Sequence, residues 1–151
     1  MKQITLYSAK HYASKNWGES GLLYDEYSGY NHGSGIKRKY FTTGIIAYEA
    51  KFVRGNIEGF TRAYHISGLI EKQMYYVHGV AEGNAIEYCC ASCCCTSFSL
   101  FLVEPLCEGY THGLRRRFFH SGIVSFESLF EYGEKTKYTA YHSDGSPDTG
   151  F

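Results

Sequence analysis

The feature that most constrains the fold of this chain is a glycine-aromatic repeat with a period of about 24 residues. Two successive segments carry it most clearly: Gly55-x3-Gly59-x4-Tyr64-x3-Gly68 and Gly79-x3-Gly83-x4-Tyr88-x3-Ser92. A fixed period of this length is typical of chains built from stacked, structurally similar units. We therefore expect a repeat architecture.

The repeat divides the chain into five units. An aromatic residue precedes the end of each unit by four positions, at Tyr40, Tyr64, Tyr88, Phe118 and Tyr141. The units span about 21–43, 44–67, 68–91, 92–121 and 122–144, and we expect them to form a single domain over residues 1–151. The unit at 92–121 is longer than the central units, which predicts an insertion there.

Each unit has the pattern of two short strands around a tight turn. In the second unit, the segment 45–53 is rich in apolar, aromatic and β-branched residues, and Gly55-Asn-Ile-Glu-Gly59 is predicted to supply the turn. The segment 60–66 then returns with alternating side chains. The pattern predicts an all-β fold of stacked antiparallel β-hairpin repeats in a single elongated twisted sheet, with an irregular cysteine-rich insertion between Cys89 and Cys107.

Three segments carry a common pattern: Gly44-Ile-Ile-x2-Glu-x2-Phe-x2-Gly55-x3-Gly59-x4-Tyr-x3-Gly68, Gly68-Leu-Ile-Glu-x4-Tyr-x2-Gly79-x3-Gly83-x4-Tyr88, and Gly122-Ile-Val-x2-Glu-x2-Phe-x2-Gly133. This pattern resembles the variant MORN repeat of bacterial YwqK-like proteins, a family of antitoxins. The resemblance covers roughly residues 21 to 145 and implies a scaffold of hairpins. It also implies a protein partner, such as a toxin or secreted effector.

Five of the six cysteines fall between Cys89 and Cys95, and several interpretations of them stay open. Cys90 and Cys93 have the spacing of two zinc ligands, and Cys107 with His112 would complete a tetrahedral zinc site. Structural disulfides, acylation and redox sensing are further alternatives. The simplest interpretation is that the cysteines are small, buried thiols that fill the insertion, with no cofactor bound.

Arg115-Arg116-Arg117 is the one dense basic run of the sequence. By strand alternation, Arg115 and Arg117 share a face with Phe119, whereas Arg116 points to the other side. The equivalent strand of the first unit places Lys37, Lys39 and Phe41 in the same way. The candidate partner-binding set is therefore Lys37, Lys39, Phe41, Arg115, Arg117 and Phe119. The alternative is a solvated face that opposes edge aggregation.

Composition narrows the classes of partner. Fifteen basic and fifteen acidic side chains give a formal charge of zero, which provides no global attraction to nucleic acid or to an anionic membrane. The N-terminal segment lacks the apolar run of a signal peptide, and no apolar segment is long enough to span a bilayer. We therefore expect a cytoplasmic protein that contacts neither nucleic acid nor the membrane interior.

Function is predicted from the absence of a catalytic motif together with the repeat pattern. No phosphate-binding glycine loop and no nucleophile-base arrangement is evident, so we expect no enzymatic activity. The leading hypothesis is a non-enzymatic module that neutralises a protein partner by occlusion. The alternatives are a structural or membrane-associated MORN-like scaffold, and less favoured, a small enzyme or zinc-binding protein. Open end strands also favour a homodimer.

Overall fold

The computed structural model describes residues 4–8, 22–31, 33–89 and 99–150 of the chain. These residues form twelve strands and no helix. The strands are β1 (Ile4–Ser8), β2 (Leu22–Asn31), β3 (Ser34–Phe41), β4 (Ile46–Val53), β5 (Asn56–Tyr64), β6 (Ile70–Val77), β7 (Val80–Cys89), β8 (Ser99–Cys107), β9 (Tyr110–Thr111), β10 (Gly113–Phe118), β11 (Val124–Glu131) and β12 (Glu134–Ala140).

The strands follow one another in chain order within one open sheet, except that the short strand β9 pairs only with β8. Neighbouring strands run antiparallel, as expected where short turns join them. The predicted all-β fold of hairpin repeats is therefore confirmed. The repeat pattern did not predict β1, which pairs with β2 through a register that sets Leu6 opposite Tyr24.

Contacts along the chain group the described residues into two compact units. Unit 1 holds the residues up to Glu71 together with Tyr76–Gly79, and unit 2 holds Lys72–Tyr75 and the residues from Val80 onward. The most buried side chains of unit 1 are Phe41, Lys39, Ala47, Ala50 and Thr61. In unit 2 they are Ala85, Leu102 and Ser128. The sheet centre therefore consists mainly of small side chains.

The turns within the hairpins are shorter than the sequence predicts. At the β4–β5 turn, Arg54 and Gly55 both have positive φ, of 50° and 85°. This is the two-residue type I′ geometry, whose twist matches that of the flanking strands. The segment predicted as a five-residue turn, 55–59, is therefore mostly strand, because β5 begins at Asn56.

Gly59 lies inside β5 rather than in the turn, at a bulge. Ala50 pairs with Thr61 and Phe52 with Ile57, so three residues of β5 lie opposite one residue of β4. Gly59 has a φ of 82°, which glycine adopts without a Cβ clash. In β12 the corresponding bulge contains a single surplus residue, Thr136. The return segment of the last repeat is therefore one residue shorter than that of the second repeat.

Each hairpin turn is hydrogen-bonded to the hairpin before it. In unit 1, the Gly55 amide donates to the Gly33 carbonyl over 2.7 Å, and the Arg54 amide donates to Ser34 Oγ over 2.9 Å. The same pair of bonds recurs at the later turns. The glycine amide donates to a backbone carbonyl, from Gly79 to Ile57, from Gly109 to Ala81 and from Gly133 to Thr111. The amide before it donates to a side chain, from His78 to Glu58, from Glu108 to Glu82 and from Tyr132 to His112. We call this recurring pair the turn clasp. It satisfies the two amides that a tight turn leaves open.

Loops between hairpins share a second geometry. The Phe41 amide donates to the Ile45 carbonyl over 2.8 Å, and the Gly44 amide donates back to the Phe41 carbonyl over 2.9 Å. The same two bonds close the loops at 65–69, 119–123 and 142–146. Three-residue hairpin loops of this kind end in a residue with positive φ, which explains why glycine marks the predicted unit boundaries.

Candidate binding face

The three arginines of β10 divide between the two faces of the sheet in unit 2. Arg116 lies opposite Glu127 of β11, whereas Arg115 lies opposite Ser128 and Arg117 opposite Phe126. Residues directly opposite each other in an antiparallel pair share a face. The alternation predicted from the sequence is therefore confirmed for Arg115, Arg116 and Arg117.

The face that carries Arg115 and Arg117 combines cations with aromatic rings. Strand β11 contributes Phe126 and Phe130 on either side of Ser128, and β12 adds Lys135 and Tyr138, which lie opposite Phe130 and Ser128. We call this surface the basic-aromatic patch. It consists of Arg115, Arg117, Phe126, Phe130, Lys135 and Tyr138.

Each cation of the patch lies over an aromatic ring. The Arg115 guanidinium is 6.0 Å from the centroid of Phe130, and the Lys135 ammonium is 5.0 Å from that of Tyr138. The Arg117 guanidinium is 5.2 Å from the ring centroid of Phe101 in β8. Cation–π contacts at exposed sites are worth about 0.5–1 kcal/mol each, so they orient these side chains without removing their charges.

The aromatic rings of the patch also contact each other. Phe126 and Tyr138 stack with 5.5 Å between their centroids and 21° between their planes. Tyr138 stays 45% exposed, and both Arg117 and Lys135 are exposed as well. Ser128 lies beneath them and is buried. The patch therefore presents cations and aromatic rings that contact one another at the surface.

The three cations of the patch differ in whether a carboxylate lies close to them. Arg115 has its Nε 3.7 Å from Glu104 of β8, and Glu104 also accepts a hydrogen bond of 2.9 Å from the Thr111 hydroxyl. Arg117 and Lys135 have no carboxylate within 4.0 Å among the residues the structure describes. The patch therefore carries uncompensated positive charge in a chain whose formal charge is zero.

On the opposite face of the same strands, Arg116 is paired with a carboxylate. Arg116 Nε donates to Glu127 over 2.8 Å, and the Tyr141 hydroxyl donates to the second oxygen of Glu127 over 2.9 Å. The hydrogen bond from Arg116, followed by that from Tyr141, lowers the pKa of Glu127 below its ordinary value. The same bond to Glu127 raises the pKa of Tyr141. This cluster ties β10, β11 and the segment after β12 together.

The residues that the first repeat contributes to the predicted partner-binding set, Lys37, Lys39 and Phe41, do not form an equivalent surface. Lys39 is 3% exposed and Phe41 is 6% exposed, and Phe41 packs with Ala47 in the core of unit 1. Neither side chain is available to a partner, because both are almost fully buried. Lys37 is half-buried on the same strand. Phe119, at the start of the 119–123 loop, is half-buried too.

The cysteine-rich segment is more regular than predicted. Ser99–Cys107 forms the strand β8, whereas residues 90–98, which include Cys90 and Cys93, lie outside the described residues. Cys89 and Cys107 lie at the ends of β7 and β8. Both are half-buried, which corrects the expectation of buried thiols for these two cysteines, whereas the other four lie outside the described residues.

His112 has a structural partner in the last hairpin. Its Nδ1 accepts the Tyr132 amide over 3.3 Å, and its ring lies 4.5 Å from that of Tyr132. Within the described part of the chain, no three His, Cys, Asp or Glu side chains come together as a metal site. The proposed zinc site rests on Cys90 and Cys93 and stays a prediction.

Sequence reasoning missed four members of the patch: Phe126, Phe130, Lys135 and Tyr138. Phe126 and Phe130 are separated by four positions in a strand, a spacing that places both on one face and could have indicated them. The sequence around Lys135 has no spacing that indicates this face. The bulge at Thr136 places Lys135 opposite Phe130 but Lys137 opposite Leu129, so two lysines that simple alternation would pair lie on opposite faces.

Comparisons of the chain with protein-family models, with curated proteins and with solved structures give no match. The likeness to the MORN repeat therefore rests on the sequence pattern and not on an aligned relative. Among the described residues, no helix is long and apolar enough to cross a membrane.

Proposed function

We propose that this chain is a non-enzymatic protein-binding repeat module that neutralises a partner toxin or effector by covering its active site. The observation that carries the proposal is the basic-aromatic patch, in which Arg117 and Lys135 are exposed and have no carboxylate partner among the described residues. Aromatic and arginine side chains are the residues that most often dominate binding energy at protein interfaces.

The sheet supports binding by occlusion. Strands β10, β11 and β12 hold the patch through continuous antiparallel pairing, and the ring contacts orient its cations before a partner arrives. Ordered side chains lose little conformational entropy on binding. A stable complex requires about 800 Å² from each partner.

The proposal is tested by affinity capture from the native host, with the full chain as bait. Mass spectrometry then identifies what stays bound at about 0.3 M salt, which screens weak contacts between exposed charges. We expect one stoichiometric protein that is toxic when expressed alone and harmless when expressed together with this chain. Recovery of no protein, or of a partner whose toxicity is unchanged by co-expression, would contradict the proposal.

A further inference from the structure

We propose that the basic-aromatic patch binds an extended acidic segment of a protein, in which carboxylate side chains occupy alternate positions. This inference deepens the proposed protein-binding function by assigning the chemistry of the partner. It rests on the spacing of the cations, on their neutralisation and on the rings between them.

The spacing of the cations matches that of an extended chain. Arg115 and Arg117 are two positions apart on one strand, so their Cα atoms are separated by about 7 Å. Alternate side chains of a bound extended segment repeat at the same interval. A segment aligned with β10 therefore presents successive carboxylates to Arg115 and Arg117 in register.

The third cation extends the surface across the sheet. Lys135 lies on β12, two strands from β10, which places it about 10 Å from the line of the arginines. Cations spread over this distance do not converge on a single small anion. They suit several carboxylates carried on one segment.

The rings between the cations supply the apolar part of the recognition. Phe126 and Phe130 lie between β10 and β12 on this face, and Tyr138 stacks against Phe126. Alternate residues of an extended segment point to the same side, so the methylene groups of its acidic side chains would contact these rings while the carboxylates reach the cations. An acidic protein segment is favoured over nucleic acid because the formal charge of zero provides no global attraction to a polyanion.

Arg117 and Lys135 are the residues to test. Arg115 already shares Glu104, so changing it would also disturb β8, whereas Arg117 and Lys135 have no carboxylate within 4.0 Å in the described part of the chain. The test variant is therefore the double charge reversal R117E/K135E. Lys137 is the matched control for Lys135, because K137E makes the same charge change as K135E on the same strand but on the opposite face.

The experiment measures binding of a short synthetic peptide that alternates Glu with Leu to the full chain, by fluorescence anisotropy, with a Gln-for-Glu peptide as comparison. We expect the Glu peptide to bind wild type and K137E equally and to lose at least about 30-fold in affinity for R117E/K135E, since two charge-assisted contacts are replaced by repulsion. Thermal unfolding by circular dichroism should show that all three proteins are folded at the temperature of the binding measurement, with a midpoint lower by a few degrees for R117E/K135E because two cation–π contacts are lost.

Three results would overturn the inference: equal binding of the Glu and Gln peptides, an equal loss in K137E, or binding of single-stranded RNA or anionic vesicles in preference to the peptide. Its failure is distinguishable from failure of the proposed function. A captured host partner that binds R117E/K135E as tightly as wild type would leave protein binding intact and overturn the acidic-segment inference. If the peptide binds through the patch but no host protein is captured, the acidic-segment inference stands and the proposed function is contradicted.

Discussion

Gly33 and Gly55 illustrate how two residues with nearly the same backbone conformation depend on glycine for different reasons. Their φ angles are 79° and 85°. A Cβ on Gly55 would meet no atom within 4 Å, whereas a Cβ on Gly33 would lie 2.8 Å from the Gly55 backbone nitrogen. Gly55 is therefore required by its conformation alone, and Gly33 also by the close approach of the next turn.

The comparison predicts unequal costs for two alanine substitutions. Gly55→Ala should lower the free energy of unfolding by about 1–2 kcal/mol, the cost of a left-handed conformation for a residue with a Cβ. Gly33→Ala should cost about 1–3 kcal/mol more, because the backbone contact cannot relax without breaking the turn clasp. Urea unfolding of both variants checks the order. Equal destabilisation would show that the packing of one turn against the next contributes nothing.

Glu127 predicts a pH dependence of stability. Hydrogen bonds from Arg116 and Tyr141 lower its pKa in the folded state. A carboxyl with a lowered folded pKa stabilises the fold above its unfolded pKa, and the contribution is lost as pH falls through the folded value. The free energy of unfolding should therefore decline below about pH 4.5, and part of this decline should be absent in Glu127→Gln. Parallel pH profiles for the variant and wild type would refute this assignment.

At the scale of strands and turns, the sequence predicted the hairpins well and their details less well. The period placed one strand-turn-strand unit between successive boundary glycines, because glycine is needed at the end of each three-residue loop. It misplaced the β4–β5 turn, since Gly55 and Gly59 look equivalent in sequence but serve a turn and a bulge. It also could not reveal that Lys39 is buried, because burial depends on the tertiary surroundings of β3 and not on its own sequence pattern.

The turn clasp gives a prediction at this scale. Glu58 accepts the His78 amide over 2.8 Å through its carboxylate. Removing the acceptor by Glu58→Ala should speed hydrogen exchange of that amide by about fivefold, corresponding to the net worth of one hydrogen bond. Glu58→Gln keeps an acceptor oxygen and should leave the exchange rate close to that of wild type. Exchange rates followed by NMR distinguish the two, and an unchanged rate in Glu58→Ala would exclude a protective role for the clasp.

At the scale of the whole molecule, a fixed sequence period was enough to predict an all-β sheet with strands in chain order. Two of the six residues of the basic-aromatic patch could not be predicted in the same way. Arg115 and Arg117 followed from alternation within one strand, but Lys135 and Tyr138 joined them only through the register of β11 with β12 and the bulge at Thr136. Long-range register is set by tertiary pairing and leaves little trace in a single segment.

The measurement that tests the central claim most directly is a titration of the captured host partner against wild type, R117E/K135E and K137E by isothermal calorimetry. The account predicts equal affinity for wild type and K137E, and a loss of at least about tenfold for R117E/K135E, which corresponds to one or two charge-assisted contacts. Three equal affinities would place the partner elsewhere on the molecule. That result would contradict the assignment of the basic-aromatic patch as the binding face.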